Sequence, residues 1–405
     1  MSQQTMSPAR EGARAQDGRR IALLSYGFRP FFLAAAAFAA LAAPAWLLIL
    51  MAGIELPSFL PPLLWHGHEM LFGYATAVLA GFLLTATPGW SGLPSVAGAP
   101  LAGLALLWLA GRAASWVGDG LPAAAVIVDL AFLPALALAI TPHLQAAARR
   151  NLVFLPLLGA LFLAQLAVDL DATGQVSGIG SIALRAALDL FALLIALIGG
   201  RVVPSFTANA LKASGGPAQL RAFSWLDRLA VGALVAMLLA DLATLPRLAG
   251  ALALAAAALN GLRMWGWHGR RTLHEPLLWV LHLGYAWLVA GLAWKGLVDL
   301  TGFLPGSEAL HGLAIGAVGT MTIAVMSRAS LGHTGRPLHA PGPVVVGYLL
   351  ISGAALARLA APLLAADLYL PALLVATGLW SAAWLLFLVA FASVLSRPRV
   401  DGRPG

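Results

Sequence analysis

Apolar residues run along this chain in long stretches that are separated by short polar breaks. The stretches are about 18 to 25 residues long, enough for a helix to cross a hydrocarbon core of about 30 Å. The pattern predicts twelve helices, near 29–52, 64–86, 97–115, 121–140, 152–170, 181–203, 225–243, 246–265, 276–298, 306–328, 343–365 and 368–395. The fold class predicted is an all-α polytopic membrane protein.

The breaks between the predicted helices are too short to hold a soluble domain. Residues 25–397 therefore form a single twelve-helix transmembrane domain in this prediction. A basic tail, residues 1–24, precedes it, and a short tail, residues 398–405, follows. The longest breaks are expected near 204–224 and 329–342. The first helix is too long for the core of a signal peptide, so the basic tail is expected to remain on the chain.

Two of the predicted helices, the second and the tenth, carry the same ungapped pattern. Five positions recur at an offset of 243, namely His68, Gly73, Gly89, Gly92 and Pro94 as His311, Gly316, Gly332, Gly335 and Pro337. Both helices are even-numbered, so they run in the same direction and the repeat is parallel. A weaker echo on helix six places Arg201 and Thr207 127 positions before Arg328 and Thr334. Recurrence every four helices suggests three four-helix repeats around a pseudo-threefold axis.

The repeated histidines are the first candidate site. Ionisable groups at membrane depth are costly and are functional candidates by default. On a regular helix His66 and His68 point about 200° apart, whereas His66 and Glu69 share a face. We therefore expect His68 and His311 to be the axial ligands of a b-type haem, with His66 and Glu69 facing a second site or a proton path. The alternative is that carbonyl groups or waters satisfy these histidines.

A second group of polar residues falls nearer the other ends of the helices. His282 lies inside an apolar run of helix nine, and His333 follows helix ten. Copper or a second haem would suit these imidazoles, and a hydrogen-bonded structural role is the alternative. Arg201 and Arg328 end helices at the same depth. They either anchor the helices at the interface or pair with a haem propionate or a substrate anion.

Composition agrees with a membrane protein, since 60% of the 405 residues are hydrophobic and 10% are charged. The net charge of +8 could indicate nucleic acid, but its distribution does not. With a cytoplasmic amino terminus, 19 of the 24 Lys and Arg residues face the cytoplasm, which is the positive-inside bias. The other five are Arg112, Arg185, Arg247, Lys295 and Arg358, of which Lys295 is expected to be an interfacial anchor. Both termini are thus predicted to be cytoplasmic, with no nucleic-acid partner.

The chain has no cysteine. Disulfides, iron–sulfur clusters, thiolate-ligated haem and covalent c-type haem are therefore excluded. A bound metal must use histidine, methionine, carboxylate, tyrosine or water as its ligand.

Four strings of the sequence resemble the signatures of the NnrS family. They are Gly27-Phe28-Arg29-Pro30-Phe31-Phe32, Trp65-His66-Gly67-His68-Glu69-Met70-Leu71-Phe72-Gly73, Gly200-Arg201-Val202-Val203-Pro204 and Ser327-Arg328-Ala329-Ser330-Leu331-Gly332-His333-Thr334-Gly335. The resemblance implies a twelve-helix protein of the bacterial inner membrane that responds to nitric oxide during denitrification or host attack. It also implies haem and copper, with His66, His68, His282, His311 and His333 as candidate ligands.

A more distant similarity is to the catalytic subunit of haem-copper oxidases and nitric oxide reductases. That subunit also has twelve helices in three four-helix arcs, with a low-spin haem held by histidines on helices two and ten. Here neither helix six nor helix seven contains a histidine, so an oxidase-type binuclear centre is not expected in the usual place.

The leading functional hypothesis is a haem-containing redox protein that acts on nitric oxide or a derived species, with quinol as a potential donor. Candidate catalytic residues are Glu69, His66 and Arg328, and candidate cofactor-binding residues are His68, His311 and Arg201. Two rival hypotheses are kept. One is a transporter or exporter of nitrosylated iron or another metal species, and the other is a nitric oxide sensor without turnover.

Overall fold

The computed structural model describes residues 21–215, 220, 224–304 and 306–402. Most of the predicted basic tail, residues 1–24, lies outside the described residues, as do residues 403–405 of the second tail. Every regular element in the described ranges is a helix. The all-α prediction is confirmed.

Twelve long helices make up the bundle. They are α1 (Phe28–Ala52), α2 (Pro62–Ser91), α3 (Ala99–Val117), α4 (Pro122–Ala146), α5 (Arg149–Ala172), α6 (Gly180–Ala213), α7 (Ser224–Leu242), α8 (Pro246–Trp265), α9 (Pro276–Thr301), α10 (Gly312–His333), α11 (Gly342–Leu363) and α12 (Ala366–Ser396). A short helix, Gly306–Ala309, precedes α10.

Eleven of the twelve helices are long and apolar enough to cross a membrane. The remaining helix, α7, carries the charged residues Asp227, Arg228 and Asp241. The protein is therefore a polytopic membrane protein, as the hydrophobic pattern predicted.

Four helices end at least five residues later than predicted. Helix α2 continues to Ser91 rather than ending near residue 86, and α4 continues to Ala146 rather than ending near residue 140. Helix α6 continues to Ala213 rather than ending near residue 203, and α10 continues to His333 rather than ending near residue 328. Hydropathy reports where the apolar residues stop, whereas a helix stops where its backbone hydrogen bonds stop. His333 is consequently the last residue of α10 and does not belong to a loop.

The start of the first helix, α1, and the end of the last helix, α12, lie together at one face of the bundle. Arg29, at the start of α1, is fully buried and donates from Nη1 to the carbonyl oxygens of Leu395 at 2.9 Å and Arg397 at 2.6 Å. These carbonyls belong to the C-terminal end of α12, where a cation is favourable. We call this side of the bundle the terminal face and the opposite side the distal face.

Three helices form the centre of the bundle. Helices α2, α6 and α10 contact one another in all three pairings. The most apolar window of α2 is 83% buried, and those of α6 and α10 are 67% buried, against 33–50% for the other eight membrane-spanning helices. The central positions are thus taken by helices spaced four apart, which agrees with the suggested three four-helix repeats.

The parallel repeat between α2 and α10 extends to backbone geometry. A π-helical segment, Glu69–Ala75, begins directly after His68, and another, Gly312–Gly319, begins directly after His311. Gly92 and Gly335 follow these helices with φ angles of 74° and 72°, values that favour glycine. The offset of 243 therefore relates two units of matching local structure.

Repeated glycines also admit an aromatic ring from a neighbouring helix. A Cβ atom built on Gly73 would lie 2.7 Å from the ring of Phe38 on α1. The equivalent Cβ on Gly316 would lie 2.5 Å from the ring of Trp287 on α9. Because glycine has no side chain, α2 and α10 can approach their neighbouring helices closely at these two positions.

Candidate functional site

Two histidines from central helices face each other near the distal face. The rings of His66, on α2, and His311, at the start of α10, have centroids 6.5 Å apart and planes 16° apart. Trp46 of α1 covers the His66 ring at a centroid distance of 4.9 Å. The Nδ1 atom of His66 is buried and has no hydrogen-bond partner. His66 thus offers a buried imidazole nitrogen beside the ring of His311.

His68 is not the partner of His311, contrary to the predicted ligand pair. Its ring is fully buried and both nitrogens lie against carboxylates, with Nδ1 2.9 Å from Glu69 Oε1 and Nε2 2.8 Å from Asp129 Oδ2. His66 and His68 point to opposite sides of α2, so only one of them can face α10. The repeat did not predict this, because the equivalent histidines have different surroundings: His311 faces α2, whereas His68 faces α4 and α5.

Glu69 is part of the same buried network and does not face His311 or a channel. Ser115 and Trp116 of α3 donate to its two carboxylate oxygens, each at 2.9 Å. Arg112 of α3 bridges Glu69 to Asp129 of α4. We call His68, Glu69, Arg112, Asp129 and Asp169 the His68 cluster.

Two further cations near the distal face, Lys295 and Arg358, are also held in ion pairs. Lys295, expected to anchor α9 at the interface, is fully buried, and its Nζ lies 2.8 Å from Asp241 Oδ2 and 2.6 Å from Asp299 Oδ2. Arg358 of α11 pairs with Glu308. A buried charge is costly unless it is paired. The sequence did contain a signal for these pairs, namely acidic residues at the same depth as the cations.

Toward the terminal face the three central helices enclose an apolar cavity of about 360 Å³. Its walls include Val78 and Leu79 of α2, Leu194 of α6 and Val318 of α10. Arg328, His333, Thr85 and Thr322 are its polar lining residues. The volume falls in the range of small-molecule pockets, about 300–1,000 Å³.

The sequence agrees with the model of one protein family over nearly its whole length. The model, described as NnrS protein, matches residues 22–399. The chain belongs to the NnrS family. No protein of curated function matches it at significant similarity. The resemblance read from the four sequence strings is thereby confirmed, and membership supports the role in the nitric oxide response that the resemblance implies.

In this NnrS-family protein the histidines of the second group of predicted metal ligands, His282 and His333, contact different neighbouring residues. His282 Nε2 lies 2.9 Å from Thr207 Oγ1 on α6. The ring of His333 packs instead against Tyr26 and Phe28, with centroid distances of 5.9 and 5.6 Å. Burial raises the pKa of Tyr26, which precedes α1. These contacts favour structural roles for both histidines.

The two arginines proposed as propionate partners lie far from the facing histidines. Seventeen helical residues separate His311 from Arg328, which corresponds to about 25 Å. Arg328 is half-buried, with its guanidinium 4.0 Å above the ring of Phe206. Arg201 is exposed and lines an open depression beside Asp227 and Arg263. Arg328 therefore lies too far along α10 to reach a haem held at His66 and His311 or to share a catalytic site with His66 and Glu69, and Arg201 lies in a separate depression.

Proposed function

We propose that this NnrS-family protein is a haem-containing redox protein of the bacterial inner membrane that acts on nitric oxide or a derived species. The observation that carries the proposal is the facing pair of His66 and His311. It replaces the pair His68 and His311 that the sequence register predicted. Family membership supports the link to nitric oxide.

The separation of the two ring centroids matches that of two imidazoles bound to one metal. Histidine nitrogens bind a metal at about 2.0 Å, which places the two ring centroids on the order of 6 Å apart. The observed separation is 6.5 Å. His66 Nδ1 is an orphaned buried nitrogen, and buried polar atoms normally have a partner. Haem iron commonly takes histidine as its axial ligand.

The residues around the pair include a cation and an aromatic ring that would suit a bound haem. The positive charge of Arg358 acts electrostatically on His66. Arg358 would hold a haem propionate, the role that the sequence analysis considered for Arg201. Trp46 fixes the plane of the His66 ring. When bound, haem supplies the nitric oxide affinity and the one-electron chemistry that amino-acid side chains lack.

The apolar cavity supports access by a small uncharged molecule from the bilayer. Nitric oxide needs no polar partner to enter a cavity lined by Val78, Leu194 and Val318. Arg328 and His333 supply polar groups at the terminal end, where a quinol head group could be hydrogen-bonded. The role of Arg328 is therefore proposed to be in donor binding, at a site separate from the haem.

Absorption spectra of the purified protein test the proposal. We expect one haem per chain and, after dithionite reduction, the bands of a b-type haem with two histidine ligands. Rapid oxidation by nitric oxide in a stopped-flow experiment would support turnover, whereas binding without consumption would favour the sensor. A protein without a Soret band after growth with ample haem would overturn the proposal in favour of a transporter or exporter of nitrosylated iron or another metal species.

A further inference from the structure

Three buried side chains of the His68 cluster converge on one point between α2, α4 and α5. His68, Asp129 and Asp169 each offer a ligand atom, and these atoms lie within 4.8 Å of one another. His68 Nε2 is 2.8 Å from Asp129 Oδ2 and 3.6 Å from Asp169 Oδ1. A metal with ligands at about 2.0–2.2 Å needs donor atoms about 3–4 Å apart. The three groups are therefore close to the spacing that one ion requires, and small side-chain shifts would complete it.

Asp169 provides a separate observation that points to an ion. Its side chain is fully buried, and neither of its carboxylate oxygens has a hydrogen-bond partner. A buried carboxylate without a hydrogen bond is expensive unless it is neutralised or binds a metal. Asp169 thus presents two acceptor atoms without a hydrogen bond, one of them 3.6 Å from His68 Nε2.

The cluster contains more acidic than basic side chains. Glu69, Asp129 and Asp169 contribute three negative charges, and Arg112 contributes one positive charge. With a neutral imidazole at His68, the excess is therefore two negative charges. One divalent cation would balance this excess, and an unbalanced charge in the bilayer interior is costly.

The surrounding residues hold the three ligands as a metal site requires. Glu69 accepts from Nδ1 of His68, so that Nε2 would be the nitrogen directed to the ion. Gln165 of α5 donates from Nε2 to Asp129 Oδ2 at 2.9 Å. A carboxylate on the far nitrogen of a ligand histidine is the usual outer partner in metal sites.

We propose that His68, Asp129 and Asp169 bind a divalent transition-metal ion of the zinc, manganese or iron(II) class. One imidazole and two carboxylates suit these borderline to hard cations. Three protein ligands leave a coordination position open for water or another small ligand. The site lies on the opposite side of α2 from His66, so it is distinct from the proposed haem site.

Cobalt(II) is a suitable probe, because its visible absorption reports a coordinated ion in an N/O site. The full-length protein, purified in detergent and stripped with a chelator, is titrated with Co²⁺ and then with Zn²⁺. We expect one Co²⁺ per chain with a ligand-field band that Zn²⁺ abolishes. Asp169→Asn should weaken binding by at least about 100-fold, and Glu69→Gln by about 10–100-fold.

Asp189→Asn is the matched control, since Asp189 of α6 is also fully buried but acts on Lys295 instead of a histidine. This variant should keep the Co²⁺ band. Haem content, measured on the same samples, should be unchanged in Asp169→Asn, which shows that the variant is folded and separates this proposal from the haem proposal. Wild-type protein without a Co²⁺ band, or a band that Asp169→Asn leaves intact, would overturn the metal site whatever the haem content is.

Discussion

The imidazole rings of His66 and His311 lie 6.5 Å apart and within 16° of parallel, although the two residues are not equivalent in the sequence repeat. The equivalent residues are His68 and His311. One copy of the repeat therefore directs its histidine at the bundle centre, and the other directs it at its own outer helices. The haem and metal proposals follow from this division between His66 and His68.

Removal of either facing histidine should remove haem. His66→Ala and His311→Ala are each expected to lower haem per chain below about a tenth of wild type, because a single remaining imidazole cannot supply both axial ligands. His282→Ala is the control and should keep its haem, because the His282 ring is hydrogen-bonded to Thr207 in the half of the bundle nearer the terminal face. Full haem in both His66→Ala and His311→Ala, quantified spectroscopically, would rule out this pair as the ligands.

Loss of the buried cation Lys295 should destabilise the protein strongly. Lys295→Met leaves Asp241 and Asp299 without their partner, and breaking a buried pair costs about 3–5 kcal/mol. The exposed Arg247 at the same face gives the control, since Arg247→Met should stay within about 0.5 kcal/mol of wild type. Thermal unfolding in detergent checks both variants. Equal stabilities would mean that Lys295 is an interfacial anchor after all.

A side chain at Gly316 of α10, the equivalent of Gly73, should lower the stability of the protein. A Cβ on Gly316 would meet the ring of Trp287 at 2.5 Å, so Gly316→Ala should cost about 1–3 kcal/mol through overpacking. Gly159 of α5 has no such neighbour within 4 Å. Gly159→Ala should therefore be neutral or slightly stabilising. A Gly316→Ala variant as stable as Gly159→Ala, measured by thermal unfolding, would contradict the close approach of α9 and α10.

The hydroxyl of Tyr285 should contribute to stability in the terminal half. It donates to Asn260 Oδ1 at 2.6 Å and accepts from Arg263 Nη1 at 2.7 Å. Tyr285→Phe removes one hydrogen bond from each of the buried residues Asn260 and Arg263. This loss should lower the free energy of unfolding by about 1–3 kcal/mol. Tyr369→Phe, which removes a longer contact of 3.3 Å to Glu308, should cost less. Chemical denaturation of the two variants side by side measures the difference.

Several features of the fold could be predicted from the sequence because they depend on local pattern. The apolar stretches located all twelve helices, and the offset of 243 predicted the equivalence of α2 and α10, which their matching π-helical segments support. The late ends of α2, α4, α6 and α10 were missed, since a helix can extend beyond its apolar residues. Lys295 was misread because its partner Asp241 lies two helices away in the chain.

The sequence by itself determined the membrane-spanning helices, their parallel repeat and the residue types available for chemistry, since hydropathy and spacing are properties of the chain. Only the tertiary structure decided which histidines meet. Helical periodicity fixes the angle between His66 and His68, but the rotation of α2 in the bundle is set by its packing against other helices, as where Phe38 lies against Gly73. That rotation turns His66 toward His311 and His68 toward Asp129 and Asp169.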